Sequence, residues 1–100
     1  MVTVSVKDTI LAQSDKPVKL ESSDYFPPES VNKDAFFESP TTYTCPWKGH
    51  ATYYSANVNG ATLPDVAWAY LQPKPAAAQI AGHFAFDKAR HLYVSGVHYI

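Results

Sequence analysis

"HATYYSANVNGATLPDVAWAYLQ", residues 50–72, decides the fold class. At its centre stands Asn59-Gly60, two residues that tolerate positive φ and so favour the tight turn of a β-hairpin. The arms on either side alternate in character instead of repeating every three or four residues. Before the turn, His50, Thr52, Tyr54 and Ala56 fall on one face and Tyr53 on the other. After it, "ATL" returns, and Pro64-Asp65 leads into "VAWAYLQ", a further strand. There Trp68 and Tyr70 share one face while Ala67 and Ala69 share the opposite one. Rings on one face and small residues on the other describe the wall of a shaped cavity. The plainer reading is a core in which rings and alanines interlock.

The flanking segments extend the β pattern. "VTVSVK" at residues 2–7 puts Val2, Val4 and Val6 on one face and Thr3, Ser5 and Lys7 on the other, a half-buried strand. Lys7-Asp8 turns it into "TILAQ", and residues 14–17 turn again before "VKLE", so a meander of three short strands is expected. Residues 22–42 hold three of the eight prolines and read as irregular, with short turns after Pro28 and around Asp34–Phe37. "PKPAAAQIAG" fits one short helix that starts at a proline and stops at Gly82. "HFAFD" and "HLYVS" close the chain as two strands around Lys88-Ala89. The expected fold is mainly β: a compact antiparallel β-sheet or barrel-like single domain over residues 1–100, with one short helix near residues 75–81.

Composition narrows the function classes. The chain is 46% hydrophobic and 17% charged, which opposes disorder, and 100 residues suffice for one modest core. Seven Tyr, five Phe and two Trp supply much of the buried area. Tyr and Trp also carry polar tips that need partners, so a pocket or an interface is expected beside the core. Net charge is −1 and no two basic residues adjoin, so no nucleic-acid partner is expected. No apolar run approaches spanning length and the start lacks a leader pattern, so no membrane is expected either. A single cysteine cannot pair within the chain, which makes a reducing cytoplasmic setting the default.

That cysteine lies in "TYTCPWKGHATYY", residues 42–54. Pro46-Trp47 suits the centre of a β-turn, with Gly49 beyond it where positive φ is useful. Such a turn lets Cys45 and Lys48 flank it and meet. A neighbouring ammonium favours the thiolate, and His50 is placed to move a proton, so Cys45, Lys48 and His50 are the candidate catalytic residues. The alternative reading makes Cys45 a small buried hydrophobe. Tyr25, Trp47, Tyr53, Tyr54, Trp68 and Tyr70 are the candidate ligand-binding residues, lining an aromatic pocket with Cys45 and Lys48 at its rim. The four histidines, His50, His83, His91 and His98, show no ligand spacing, so no metal is expected, and no phosphate-binding loop points to a cofactor.

"DYFPPESV" (24–31), "TTYTCPWKGHATYYS" (41–55), "DVAWAYLQPKP" (65–75) and "IAGHFAF" (80–86) occur in an order that resembles the DUF427 family. The resemblance runs from about Asp24 to Phe86 and implies a compact, mostly antiparallel β domain. It implies emphasis on Tyr25, Phe26, Pro27, Thr42, Cys45, Pro46, Lys48, Gly49, Tyr53, Trp68, Tyr70 and Pro73. It assigns no activity. Three functions stay open: binding of an anionic or carbonyl-bearing small molecule, catalysis through a Lys48-activated Cys45, and a homodimer that buries surplus rings.

Overall fold

The Asn59-Gly60 pair forms the expected turn, with φ of 51° and 82°, and Val58 pairs with Ala61 across it. The computed structural model of the chain describes residues 1–6, 8–87 and 93–95. Its strands are β1 (Val2–Val6), β2 (Thr9–Ser14), β3 (Val18–Leu20), β4 (Ser23–Tyr25), β5 (Phe36–Cys45), β6 (Gly49–Val58), β7 (Ala61–Ala69), β8 (Phe84–Phe86) and β9 (Tyr93–Ser95). Among the described residues they form three antiparallel sheets, ordered β2-β1-β9, β3-β4 and β5-β6-β7-β8, in one mainly β domain. The sheets do not close into a barrel.

Several expectations change in detail. β3 pairs with β4 and not with β2, so the N-terminal meander stops after two strands. The "irregular" stretch keeps its two turns, now seen as 3-10 turns at Pro28–Ser30 and Lys33–Ala35, but then enters the ten-residue β5. Pro64 and Asp65 lie inside β7, where Pro64 needs no ladder partner. Leu63 pairs with Ala56 and Ala67 with Tyr54, so residues 64–66 bulge opposite Ser55. The strand read through Gln72 ends at Ala69, and Tyr70 makes only an isolated bridge to Ala81. The short helix is a 3-10 helix over Pro75–Ile80, broken at Ala77. Strand β9 pairs with β1 rather than with β8. The Lys7 and Lys88-Ala89 turn positions, His91 and His98 lie outside the described residues.

The four-stranded sheet separates two cores. On one face Phe26, Ala56, Val58, Val66, Ala67, Ala69, Phe84 and Phe86 pack with Val4, Val6 and Leu11 of the first sheet. Each such aliphatic or Phe side chain contributes about 1.5–3 kcal/mol by leaving water. On the other face Tyr25, Cys45, Ala51, Tyr70, Ala77, Ile80 and Ala85 form a second cluster, with Val18, Leu20, Tyr53 and Trp68 around it. Alternation explains the division. Ala67 and Ala69 go one way and Trp68 and Tyr70 the other, as their spacing along a strand requires.

Candidate functional site

Two turns meet over the second face. The first joins β3 to β4 through Glu21 and Ser22, with Glu21 at φ 57°. The second joins β5 to β6 through Pro46, Trp47 and Lys48, between the paired Cys45 and Gly49. Gly49 sits at φ 114°, and a Cβ there would come within 3.4 Å of the Lys74 nitrogen. Glycine is needed for both reasons. The close approach serves a clamp: the Lys74 amide donates to the Lys48 carbonyl at 2.8 Å, and Lys74 Nζ donates to the Pro46 carbonyl at 2.7 Å.

Held this way, Lys48 is only 8% exposed. Its Nζ lies 2.5 Å from Glu21 Oε1 and stands 5.3 Å from the centre of the Tyr70 ring and 5.6 Å from that of Trp47. Burial pulls the ammonium's pKa down, but the hydrogen bond it donates to Glu21 and the nearby Tyr25 and Tyr70 oxygens outweigh it. Lys48 is thus held above its ordinary value and stays protonated at neutral pH. The Glu21 carboxyl is held below its ordinary value, chiefly by the same hydrogen bond and the Lys48 charge. Burial pushes the Tyr70 phenol up to about 12, against the pull of Lys48. The site therefore presents an ion pair beside neutral phenols.

These groups border a hollow of about 440 Å³, lined by Glu21, Ser22, Ser23, Tyr25, Tyr43, Lys48, Tyr53, Trp68 and Tyr70. Its aromatic wall is ordered by contacts within the protein. Trp68 Nε1 donates to Tyr25 Oη at 3.2 Å, and the Tyr53 and Trp68 rings lie 6.1 Å apart at a 38° tilt. Tyr70 is 2% exposed, and among the described residues its hydroxyl has no protein hydrogen-bond partner, although the ring borders the hollow.

Of the candidate ligand-binding residues, the structure brings together Tyr25, Tyr53, Trp68 and Tyr70, and it adds Lys48 from the candidate catalytic set. It places the others elsewhere. Tyr54 points to the opposite face, its ring 4.7 Å from Phe84, beside a second hollow of about 290 Å³. Trp47 is on the surface beside Lys48 and does not line the large hollow. His50 is exposed, near Thr44 at 3.4 Å, and borders a third hollow with Thr52, Leu71 and Gln72. Cys45 is 6% exposed and sits in the second cluster behind the lining. The Lys48 ammonium reaches across to Glu21, its ion-pair partner in the neighbouring turn.

Sequence reasoning missed Glu21, Ser22, Ser23 and Tyr43. Glu21 is 27 residues from its partner and belongs to a hairpin with three-residue strands, so no local pattern announces it. Tyr43 lies on β5, an edge strand exposed along most of its length, whose burial does not alternate. Among the described residues no three His, Cys, Asp or Glu side chains are grouped to hold a metal ion, and no helix is long and apolar enough to cross a membrane.

No curated protein matches the chain. A family model does: the one described as a domain of unknown function, DUF427, matches residues 1–95 of the 100. The chain, with its clamped Pro46–Gly49 turn and its tyrosine-lined hollow, belongs to the DUF427 family.

Proposed function

We propose that the protein binds a small molecule, anionic or carbonyl-bearing, in the hollow between the Glu21 and Lys48 turns. One observation carries this reading: a buried ammonium and a buried phenol that has no protein partner among the described residues border the same ring-walled space. Small-molecule sites combine an apolar wall with a few converging polar groups in this way. A planar part would stack on Tyr53 and Trp68, and an acceptor oxygen would take hydrogen bonds from Lys48 and Tyr70. The lone cysteine keeps a cytoplasmic setting within the proposal.

A thermal-shift screen of carboxylates, amides and ketones tests it. Hits are expected that weaken by about tenfold or more, the worth of one charge-assisted hydrogen bond, in Lys48→Met, and that fade in Trp68→Ala. Hits indifferent to both substitutions would overturn the proposal. The alternative in which Cys45 is a nucleophile draws less support, because its thiol lies behind the lining. Thiol labelling is expected to be at least about a hundredfold slower in the native protein than in urea, as for a group exposed only by opening. Labelling at the unfolded rate would favour the catalytic reading.

One observation favours a homodimer as a second reading. β5 ends the four-stranded sheet, and its Phe37 and Tyr43 are 44% and 51% exposed. An edge strand of this kind can pair with a second copy. Light scattering decides it: a mass near 11 kDa opposes the dimer and one near twice that supports it.

A further inference from the structure

The proposed site leaves open whether the ligand arrives as an acid or as a neutral carbonyl compound, and its electrostatics separate the two. Among the described residues Lys48 is the sole full positive charge bordering the hollow, and Glu21 already cancels it at 2.5 Å. An incoming carboxylate would gain the ammonium but face the Glu21 carboxylate across a few ångströms. To bind, it would have to break the existing pair. A neutral carbonyl meets no such opposition. Lys48 has three N–H donors, of which Glu21 occupies one, and the Tyr70 hydroxyl has no protein partner among the described residues. Both are donors, because Lys48 keeps its proton and the phenol is neutral.

The acceptors fit the other half of an amide. An ionised carboxylate has about four accepting sites on its two oxygens; Lys48 takes one on Glu21 Oε1 and the Trp47 side chain donates to the same carboxylate, which leaves sites for a ligand N–H. Ser22 of the same turn and Ser23 at the start of β4 also border the hollow. A planar carboxamide thus finds donors for its oxygen on one side, acceptors for its N–H groups on the other, and rings above its plane.

Resting on the reading of this hollow as a binding site, we infer that it selects a planar carboxamide over the matching carboxylate, with Lys48 and Tyr70 donating to the carbonyl oxygen and Glu21 as the specificity-determining residue. Glu21 accepts the amide N–H and repels the acid.

The test uses a matched pair of probes, 2-naphthamide and 2-naphthoate, titrated into the full chain and followed by the Trp68 indole N–H in NMR spectra. The wild-type protein is expected to bind the amide about fivefold or more tightly than the acid, the scale of one partly screened charge. Glu21→Gln keeps the shape and removes the charge, and should move the ratio about tenfold toward the acid. Glu21→Asn, whose side chain tolerates the left-handed φ, repeats the test in a second background. Tyr70→Phe should weaken both probes severalfold. A wild-type preference for the acid, or a ratio unmoved by either Glu21 variant while both probes still bind, overturns the inference and leaves the binding site standing. Binding of neither probe overturns the binding reading, and the inference with it.

Discussion

The two faces of the β5-β6-β7-β8 sheet are built from alternate residues of the same strands, yet they end in different states. The Phe-rich face packs against the first sheet and keeps only the smaller hollow of about 290 Å³ at its margin, beside Phe36, Tyr54 and Phe84: Phe26 and Phe86 meet edge to face at 5.7 Å, and Val66, Ala67 and Ala69 have no exposure. Among the described residues the tyrosine face is covered by the eight-residue hairpin of residues 18–25 and a broken 3-10 helix, and it keeps a hollow of about 440 Å³. The difference is chemical. Phe and aliphatic groups lose nothing by complete burial. Tyr and Trp bring an O–H or N–H that must be paired or left open to water, so their layer cannot close as tightly.

Four substitutions break or sharpen that contrast. Phe26→Ala, at 1% exposure, should cost about 3–5 kcal/mol in chemical denaturation, because the enclosed ring leaves a void among Phe86 and its other neighbours. Trp68→Ala on the open face should cost less, about 1–2 kcal/mol, since its ring already borders space. Equal losses would mean that the two faces pack alike. Gly49→Ala should cost about 1–2 kcal/mol by forcing a side chain to φ 114° and pressing it on the Lys74 backbone. It should also loosen the clamp that aims Lys48, and the Trp68 and Tyr70 resonances would report that. Lys48→Met should change stability by less than about 1 kcal/mol, since removing a buried charge offsets the lost ion pair.

The smallest effect is the acid limb. Glu21 has a carboxyl pKa below its ordinary 4.5 in the folded protein, so its contribution is present above that value and fades as pH falls through the folded one. Between about pH 5 and 3 the wild type should therefore lose more stability than Glu21→Gln. Parallel curves would mean that the Glu21–Lys48 pair contributes nothing. Lys48 acts at the other end. Its raised pKa means a contribution complete at neutral pH and lost only in strong alkali.

Much of this contrast was legible in residues 50–72. The Asn-Gly turn and strict alternation correctly send Tyr53, Trp68 and Tyr70 to one face and Tyr54, Ala67 and Ala69 to the other. β5 was not legible, for a physical reason. It is an edge strand exposed along most of its length, so no face of it alternates, and it carries Pro40 where the register breaks between Glu38 and Thr42. The partner of Lys48 was equally hidden. Sequence proximity pointed to Cys45, whereas the three-residue turn swings the lysine across to a hairpin 27 residues away. Local spacing reports which side of a strand a residue takes. It does not report which distant turn will lie over that side.

The most direct test of the account is to map planar carbonyl fragments onto the aromatic side chains by NMR. Shifts concentrated on Tyr25, Tyr53, Trp68 and Tyr70, with Phe84 and Phe86 unmoved, are the predicted result. Shifts confined to the smaller hollow beside Phe36, Tyr54 and Leu71, or none on the tyrosine face, would contradict it.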